Sequence, residues 1–330
     1  MKKQPKKTQN SLMVAPMMGW TTRHYRYFMR LISKNVRLYT EMLTTGAVLN
    51  SANRRLLTYH ASEQPLAIQL GGSVAKELAQ AAKIVEACGY AEINLNVGCP
   101  SDSVQSGCFG AVLFKKPMLV AECVAGMKAA VGLPITVKTR IGVDDYASYD
   151  YLAEFIQKVS QGGCETFIIH ARKAWLSGLS PKENREVPPL NYAWVYQIKR
   201  DFPHLGIVIN GGIKNLNEAY AHLNQVDGVM IGRAAWHTPY LFRALDIPQN
   251  VGVLEEAIAD RIAIVQSYAP YVEKAFREGD NLSHLLQPLF GLFHGVAGAK
   301  QWRQQLTQAI QINQCPTMAL QKILAKFLMA

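Results

Sequence analysis

Short runs of aliphatic and β-branched residues recur before Pro239, and each is followed by a longer segment in which apolar residues return every three or four positions. A short apolar run predicts a buried β-strand, whereas the longer spacing predicts an amphipathic helix. The eight predicted strands comprise residues 12–15, 37–41, 66–70, 91–96, 134–139, 165–170, 206–210 and 227–231. Helices are predicted between them, for example over residues 74–87 and 118–131.

This alternation of strands and helices predicts an α/β fold built from right-handed βαβ units around a parallel sheet. Eight such units within about 235 residues are typical of a (β/α)₈ TIM barrel. An open doubly wound sheet is the alternative architecture, but no GxGxxG motif follows any predicted strand.

After Pro239 the strand pattern ends and only helices are predicted, over residues 254–275, 282–293, 299–312 and 318–329. A small all-helical C-terminal domain is therefore expected to follow the barrel. The predicted division of the chain is a basic N-terminal tail over residues 1–10, the barrel over 11–242 and the helical domain over 243–330.

Composition excludes several classes of protein. No apolar run approaches the roughly 18 residues that a membrane span requires. The basic start of the chain resembles a signal peptide in charge, but its apolar run is short and broken by Pro16, so no export signal is predicted. The six cysteines include no CxxC pair and no cluster with histidine at zinc-binding spacing. We expect reduced thiols, no metal and a cytoplasmic location.

The net charge of +11 is concentrated in three stretches. Residues 1–40 contain nine Lys or Arg and no acidic residue, residues 172–200 contain six against two glutamates, and residues 281–330 contain four and no acid. Basic stretches that meet on one face would neutralise phosphates of a nucleic acid. The alternative is an ordinary solvated surface.

A turn after the fourth predicted strand carries a cysteine. In Glu92–Ser101, apolar residues alternate with Asn94 and Asn96, and Gly98 and Pro100 then end the strand on either side of Cys99. This setting favours a reactive thiol that projects from a turn. A small apolar filler beside a strand end is the alternative that the local sequence leaves open.

Polar residues or glycines end seven of the eight predicted strands, which is where a barrel carries its functional groups. Asn210-Gly211-Gly212 and Gly232-Arg233 follow strands seven and eight, where barrels commonly bind phosphate through backbone N–H groups. They suggest a phosphorylated cofactor. Lys138 and His170 would face its reactive part, where a fixed cation stabilises negative charge that develops on reduction. An ion pair for Lys138 and a core position for His170 are the structural alternatives.

The chain resembles a known family, the dihydrouridine synthases, which are FMN-dependent tRNA-modifying enzymes. The segment His170–Arg185 is similar to the subfamily that modifies positions 20 and 20a of the D-loop. The resemblance covers the barrel and the helical tail and rests on these motifs: Ala15-Pro16-Met17, Leu95–Ser101, Val137–Arg140, Ile169–Arg172 and Ile209–Gly212.

The resemblance implies reduction of the uridine C5=C6 bond, with hydride from reduced FMN to C6 and a proton from Cys99 to C5. A cysteine of ordinary pKa is mostly protonated at neutral pH, which suits a general acid. NADPH is the implied reductant of FMN. The implied FMN-binding residues are Pro16, Met17, Met18, Gln69, Lys138, His170, Asn210, Gly211, Gly212, Gly232 and Arg233. The implied substrate and tRNA contacts are Asn96, Lys182, Arg185, Lys300 and Arg303.

Two alternatives remain open in the sequence: an FMN barrel that acts on a free pyrimidine such as dihydroorotate, and a non-catalytic RNA-binding or scaffold protein. A helical tail and three basic stretches disfavour the first, because a small substrate needs neither. No obligate protein partner is predicted. The chain departs from the family at Thr22, where the family usually has Asp; a helix N-cap role would survive this change. The sequence offers no role for Cys108.

Overall fold

The computed structural model describes residues 11–50, 54–246, 254–312 and 315–328. The predicted basic tail over residues 1–10 lies outside them. Contacts divide the chain into two compact units, one formed from Met1–Gly19 and Arg37–Gly232 and the other from Trp20–Val36 and Arg233–Ala330.

The first unit contains a single sheet of eight parallel strands. They are β1 (Leu12–Val14), β2 (Leu38–Thr44), β3 (Leu66–Gly71), β4 (Glu92–Val97), β5 (Ile135–Arg140), β6 (Thr166–His170), β7 (Gly206–Asn210) and β8 (Gly228–Ile231). Neighbouring strands pair from β2 through β8, and β8 pairs with β1. A bridge between Met13 and Arg37 then joins β1 to the chain just before β2, with Val14 N donating to Arg37 O at 2.9 Å. The sheet therefore closes into a nearly complete barrel, and the predicted fold is confirmed.

Helices lie between the strands, as the apolar spacing predicts. Those of the first unit are α2 (Thr45–Leu49), α3 (Ala75–Ala87), α4 (Asp102–Ser106), α5 (Pro117–Ala130), α6 (Tyr149–Gln161), α7 (Tyr192–Asp201) and α8 (Leu216–His222), and α1 (Arg23–Ile32) belongs to the second unit. Short 3₁₀ helices cover Arg54–Leu57, Ala61–Glu63, Gly110–Lys115 and Glu183–Arg185. In α3 the apolar positions Leu78, Ala82 and Val85 are fully buried, which confirms the pattern that predicted this helix.

The barrel interior contains apolar and polar layers. One cluster gathers Ala15, Tyr39, Ala67, Ile168, Val208 and Met230. Each member comes from a different strand or strand end, so only the interior of the barrel can bring them together. A row of buried polar side chains on β4 extends from this interior to the end of the strand. It consists of Glu92, Asn94 and Asn96.

The second unit is helical in its described part. It contains α1, α9 (Arg233–His237), α10 (Leu254–Arg277), α11 (Leu282–Leu286), α12 (Ala299–Gln311), α13 (Pro316–Leu328) and the 3₁₀ helices Pro239–Leu245 and Gln287–Gly291. The helix predicted over 282–293 ends at Leu286 because Pro288 offers no backbone N–H for an α-helical hydrogen bond.

The predicted barrel boundary at residue 242 follows the end of the strand pattern, whereas contacts group residues 20–36 and 233–242 with the second unit. The physical reason lies in the apolar face of α1. Tyr25 and Phe28 are fully buried; the Tyr25 hydroxyl donates to Ala235 O at 2.7 Å, and the Phe28 ring packs 5.4 Å from that of Tyr268. At the start of α1 the Thr22 side chain accepts from Tyr25 N at 3.4 Å, so Thr22 is an N-cap.

Candidate active site

The Cys99 turn is held at three points. Asn96 Oδ1 accepts from the backbone N–H groups of Gly98 at 3.1 Å and Cys99 at 3.0 Å, and Cys99 O accepts from Ala111 N at 2.8 Å. An asparagine that binds the amides of the following residues fixes a turn locally. Cys99 itself is half-buried, with Sγ 3.3 Å from Ser101 Oγ. The turn that carries Cys99 is therefore fixed, and Cys99 is not fully buried.

A chain of amide hydrogen bonds connects this turn to the barrel interior. Asn96 Nδ2 donates to Gln69 Oε1 at 2.8 Å, and Gln69 Nε2 donates to Asn94 Oδ1 at 2.7 Å. Asn94 Nδ2 donates to Thr136 Oγ1 at 2.8 Å, and Thr136 Oγ1 donates to Glu92 Oε1 at 2.7 Å. Each hydrogen bond fixes the orientation of the next side chain, because it determines which atom of that side chain donates and which accepts. Gln69 and Asn96, two predicted site residues, are thus in direct contact.

The inner end of this chain is Glu92, which the sequence did not single out. Tyr39 Oη donates to Glu92 Oε1 at 2.9 Å, and Arg37 forms an ion pair with the other carboxylate oxygen. Glu92 is 3% exposed, so its charge requires these partners. The sequence signal that could have identified Glu92 is a glutamate at the first position of a buried strand.

Lys138 lies at the end of β5, next to β4 in the barrel. Its ammonium donates to Asn210 Oδ1 at 3.2 Å, and Asn210 Nδ2 donates to Met230 O at 2.7 Å. Burial, with a smaller contribution from Arg140, lowers the pKa of Lys138 to about 7, and the charge of the Cys99 thiolate partly opposes this shift. Among the described residues no carboxylate forms an ion pair with Lys138, so the structural alternative for this lysine is wrong.

His170 ends β6 and packs against the glycine turn after β7. Gly211 has φ +113°, and a Cβ there would lie 2.5 Å from His170 Cδ2. Gly212 has φ +74°, and its Cβ would lie 2.5 Å from Leu190 Cδ1. Both positions therefore require glycine. Burial lowers the pKa of His170 well below its usual range, so its imidazole is neutral at physiological pH.

Gly232, after β8, differs from these two glycines. The nearest atoms to a Cβ added there are Ala15 Cβ at 3.9 Å and Met17 Sδ at 4.0 Å, so the protein itself leaves space beside it. Pro16 and Met17 are half-buried after β1, whereas Met18 is 66% exposed. Arg233, the next residue, begins α9 of the second unit.

The strand ends form a cationic site. Four basic residues lower the pKa of His170 in addition to burial, namely Arg140, Lys138, Arg172 and Arg185. Burial also lowers the pKa of Arg140 to about 10, which leaves its guanidinium charged at neutral pH. Such a site favours an anionic ligand.

The four basic residues predicted to contact tRNA are exposed, two in each unit. Lys182 and Arg185 lie in the loop between β6 and α7, over residues 171–191, which we call the β6–α7 loop. Lys300 and Arg303 lie three residues apart on α12, so they share a face of that helix. The opposite face is buried through Trp302, Leu306 and Ala309.

Several expectations of absence can be compared with the described residues. None of the six cysteines forms a disulfide, and Cys108 is exposed with φ +57°. No group of three His, Cys, Asp or Glu residues suited to a metal occurs within the described ranges. The helices that the structure describes include none long and apolar enough to cross a bilayer.

Comparison with known proteins identifies the family. The family model described as dihydrouridine synthase matches residues 13–327. A tRNA-dihydrouridine(20/20a) synthase of Vibrio cholerae is 54% identical over 298 residues, 90% of each chain. The synthase of the same name from Escherichia coli K12 is 55% identical over 296 residues, 89% of this chain and 85% of that one.

A third synthase of this name, from Vibrio parahaemolyticus, is 52% identical over 316 residues, 96% of each chain. Among solved structures, a 2-naphthoyl-CoA reductase complex with 2-naphthoyl-CoA superposes with a TM-score of 0.57 at 11% identity, covering 72% of this chain and 50% of that one, which supports the barrel fold alone. The family model spans almost the whole chain, and the chain therefore belongs to the dihydrouridine synthase family.

Proposed function

We propose that this protein reduces the C5=C6 bond of uridine in tRNA to 5,6-dihydrouridine, at positions 20 and 20a of the D-loop, with FMN as its cofactor, NADPH as the reductant and the cytoplasm as its location. The observation that carries the proposal is the half-buried Cys99 thiol on a fixed turn, with Lys138 close enough for their charges to interact. The names of the relatives supply the positions in tRNA.

The strand ends fit FMN. Open space beside Gly232 and the cationic surroundings of His170 suit a phosphate group, which backbone N–H groups near glycine can approach closely. Lys138 and Gln69 would contact the isoalloxazine ring, and Pro16, Met17 and Met18 would line the site from β1. His170, Asn210, Gly211, Gly212 and Arg233 complete the set of residues that would hold the cofactor. When bound and reduced, FMN would supply a hydride to C6 of the uracil.

Cys99 would supply the proton. Addition of a hydride at C6 places negative charge on C5 and on the conjugated C4 carbonyl, and the thiol would protonate C5 as a general acid. The thiolate left behind would be stabilised by Lys138 and Arg140, whose charges interact favourably with it, until it takes a proton from water. Asn96 would both hold the Cys99 turn and contact the uracil.

The target base must leave its stack, at a cost of a few kcal/mol in a duplex and less in a loop. Phosphate contacts would offset this cost. Lys182 and Arg185 in the first unit and Lys300 and Arg303 in the second are the basic residues that we propose for these contacts.

The proposal is tested by mapping dihydrouridine in tRNA from cells that lack this protein, followed by reconstitution with purified protein, FMN, NADPH and that tRNA. We expect dihydrouridine to be missing at positions 20 and 20a and to return on reconstitution. A purified protein that takes up no flavin would reject the proposal. Activity on a free pyrimidine with none on tRNA would favour the alternative barrel oxidoreductase.

A further inference from the structure

The β6–α7 loop is folded around one buried side chain. Asn184 is fully buried, and its Oδ1 accepts from Trp175 N at 2.8 Å while its Nδ2 donates to Trp175 O at 2.9 Å and Leu179 O at 3.1 Å. These bonds satisfy backbone groups that a loop would otherwise leave to water. The loop therefore has a defined shape, although it contains no strand and only one 3₁₀ turn.

Two side chains join this loop to the Cys99 turn. Gln105 Nε2 donates to Pro100 O at 2.9 Å and to Leu176 O at 2.7 Å. Arg140 Nε donates to Gly98 O at 3.1 Å, and its Nη1 donates to Asn184 O at 2.8 Å. The carbonyls on both sides of Cys99 are thus each held by a side chain that also holds the loop.

The Arg140 bridge is physically unusual. The side chain is 3% exposed, and among the described residues its hydrogen bonds go only to carbonyl oxygens, including Lys173 O at 3.2 Å, with no carboxylate. A buried guanidinium without a carboxylate is costly unless its N–H groups are well satisfied. Its planar fork spans several acceptors with little freedom, which suits a rigid connection between two backbone segments.

We propose that Gln105 and Arg140 are positioning residues that make the placement of the Cys99 thiol depend on the β6–α7 loop. The inference rests on the proposed function in one respect: Lys182 and Arg185 in this loop would contact tRNA, so engagement of tRNA would fix the turn that carries the proton donor. Gln105 separates positioning from electrostatics, because its substitution leaves the charge of the site unchanged.

The test compares Gln105→Leu with Ser106→Ala, a change at the next residue of α4. Among the described residues, the Ser106 hydroxyl forms hydrogen bonds only with Asp102 O and Ser103 O. The rate at which iodoacetamide alkylates Cys99 in the flavin-loaded protein is measured by peptide mass spectrometry, with the exposed Cys315 of the second unit as an internal reference. We expect Gln105→Leu to raise the Cys99 rate about fivefold, the factor that one hydrogen bond of typical net strength represents. Ser106→Ala should react like wild type.

A third variant changes the β6–α7 loop itself. Among the described residues, the Asn184 side chain forms hydrogen bonds only with atoms of the β6–α7 loop. A higher Cys99 alkylation rate in Asn184→Ala would therefore show that the shape of the loop affects the thiol. The two changes act through one connection, and the Gln105→Leu/Asn184→Ala double variant should therefore be less than additive. If Asn184→Ala does not fold, the Gln105→Leu comparison still decides the proposal.

Single-turnover formation of dihydrouridine supplies the second readout. We expect Gln105→Leu to lower this rate while the dissociation constant for tRNA stays within about twofold of wild type. Unchanged or lower Cys99 alkylation, or a loss that appears only in tRNA affinity, would overturn the positioning role. A wild-type protein that makes no dihydrouridine would instead reject the proposed function, while the alkylation arm would still decide the inference.

Discussion

The side-chain oxygen of Asn96 accepts the backbone N–H of Cys99 at 3.0 Å, while its amide nitrogen donates to Gln69 at 2.8 Å. One side chain thus connects the proposed proton donor to a proposed flavin contact. Asn96 is 8% exposed, so loss of its amide would leave both partners unsatisfied in a largely dry environment.

Asn96→Ala is therefore expected to lower the free energy of unfolding by about 1–3 kcal/mol and to misplace the Cys99 turn. Urea denaturation checks the first effect, and single-turnover formation of dihydrouridine checks the second. Thr139→Ala is a suitable control, because Thr139 is also buried but, among the described residues, its hydroxyl has only two long contacts, with Val97 O and Arg140 O at 3.4 Å. Equal activity losses in the two variants would contradict a specific role for Asn96.

Cys99→Ala should keep bound FMN and lower dihydrouridine formation by about 10²-fold, because general acid catalysis typically contributes that much. The flavin absorbance of the purified variant and mass spectrometry of nucleosides from treated tRNA are the measurements. Cys108→Ala is the matched control, since Cys108 is an exposed free cysteine. Undiminished product in Cys99→Ala would exclude the thiol as the proton donor.

The lowered pKa of Lys138 predicts a pH-dependent stability of the flavin-free protein. Between its folded pKa of about 7 and its unfolded pKa of 10.5, the unfolded chain binds more protons at this site, so the folding penalty from Lys138 is largest below about pH 7 and declines as pH rises. Lys138→Met removes this penalty. The substitution should therefore stabilise the flavin-free protein more at pH 6.5 than at pH 9.

Urea denaturation of both flavin-free proteins at the two pH values measures this difference. His170 is present in both, so its own titration cancels to a first approximation. A stability difference that is constant or grows with pH would contradict burial as the main cause of the Lys138 shift.

A single added methyl group is expected to lower stability at one of the two glycine sites and to leave it unchanged at the other. Gly211→Ala meets His170 at 2.5 Å with φ +113°, so we expect a loss of about 2–4 kcal/mol in stability from strain and overpacking. Gly232→Ala meets nothing closer than 3.9 Å and should leave the stability of the flavin-free protein within about 0.5 kcal/mol of wild type.

Flavin retention separates the two further. If the space beside Gly232 receives the FMN phosphate, Gly232→Ala should bind FMN more weakly even though it folds normally. Thermal melting without flavin and fluorescence titration with FMN measure the two properties. Normal FMN affinity in Gly232→Ala would place the phosphate elsewhere.

Much of this site could be predicted from sequence because its signals are local. Glycine and proline end β4 around Cys99, and strand ends converge in any parallel barrel, so Cys99, Lys138 and His170 could be placed together. The Thr22 N-cap is equally local, since it depends on a hydroxyl three residues before the N–H that it binds.

Connections between distant segments could not be predicted. Arg140 joins carbonyls at Gly98 and Asn184, and the second of these lies 44 residues away along the chain. A buried arginine that binds carbonyls has no periodic signature. The grouping of residues 20–36 with the C-terminal helices was missed for a similar reason, because the pattern of α1 shows that a face is buried but not what covers it.

The paired basic residues on α12 predict a measurable salt dependence. Each phosphate contact that is lost reduces the slope of log K against log salt by about 0.7–0.9, so Lys300→Ala/Arg303→Ala should flatten the slope for tRNA binding by about 1.5. Gln304→Ala, an exposed neutral change on the same helix, should leave the slope unaltered. Filter binding or fluorescence anisotropy over a range of KCl concentrations gives both values.

Because the substituted side chains are exposed and the buried face through Trp302 is untouched, the melting temperature should not change. A wild-type slope in the double variant would mean that α12 does not contact tRNA phosphates, and the same measurement on Lys182→Ala/Arg185→Ala would then show whether the β6–α7 loop supplies the electrostatic part of binding.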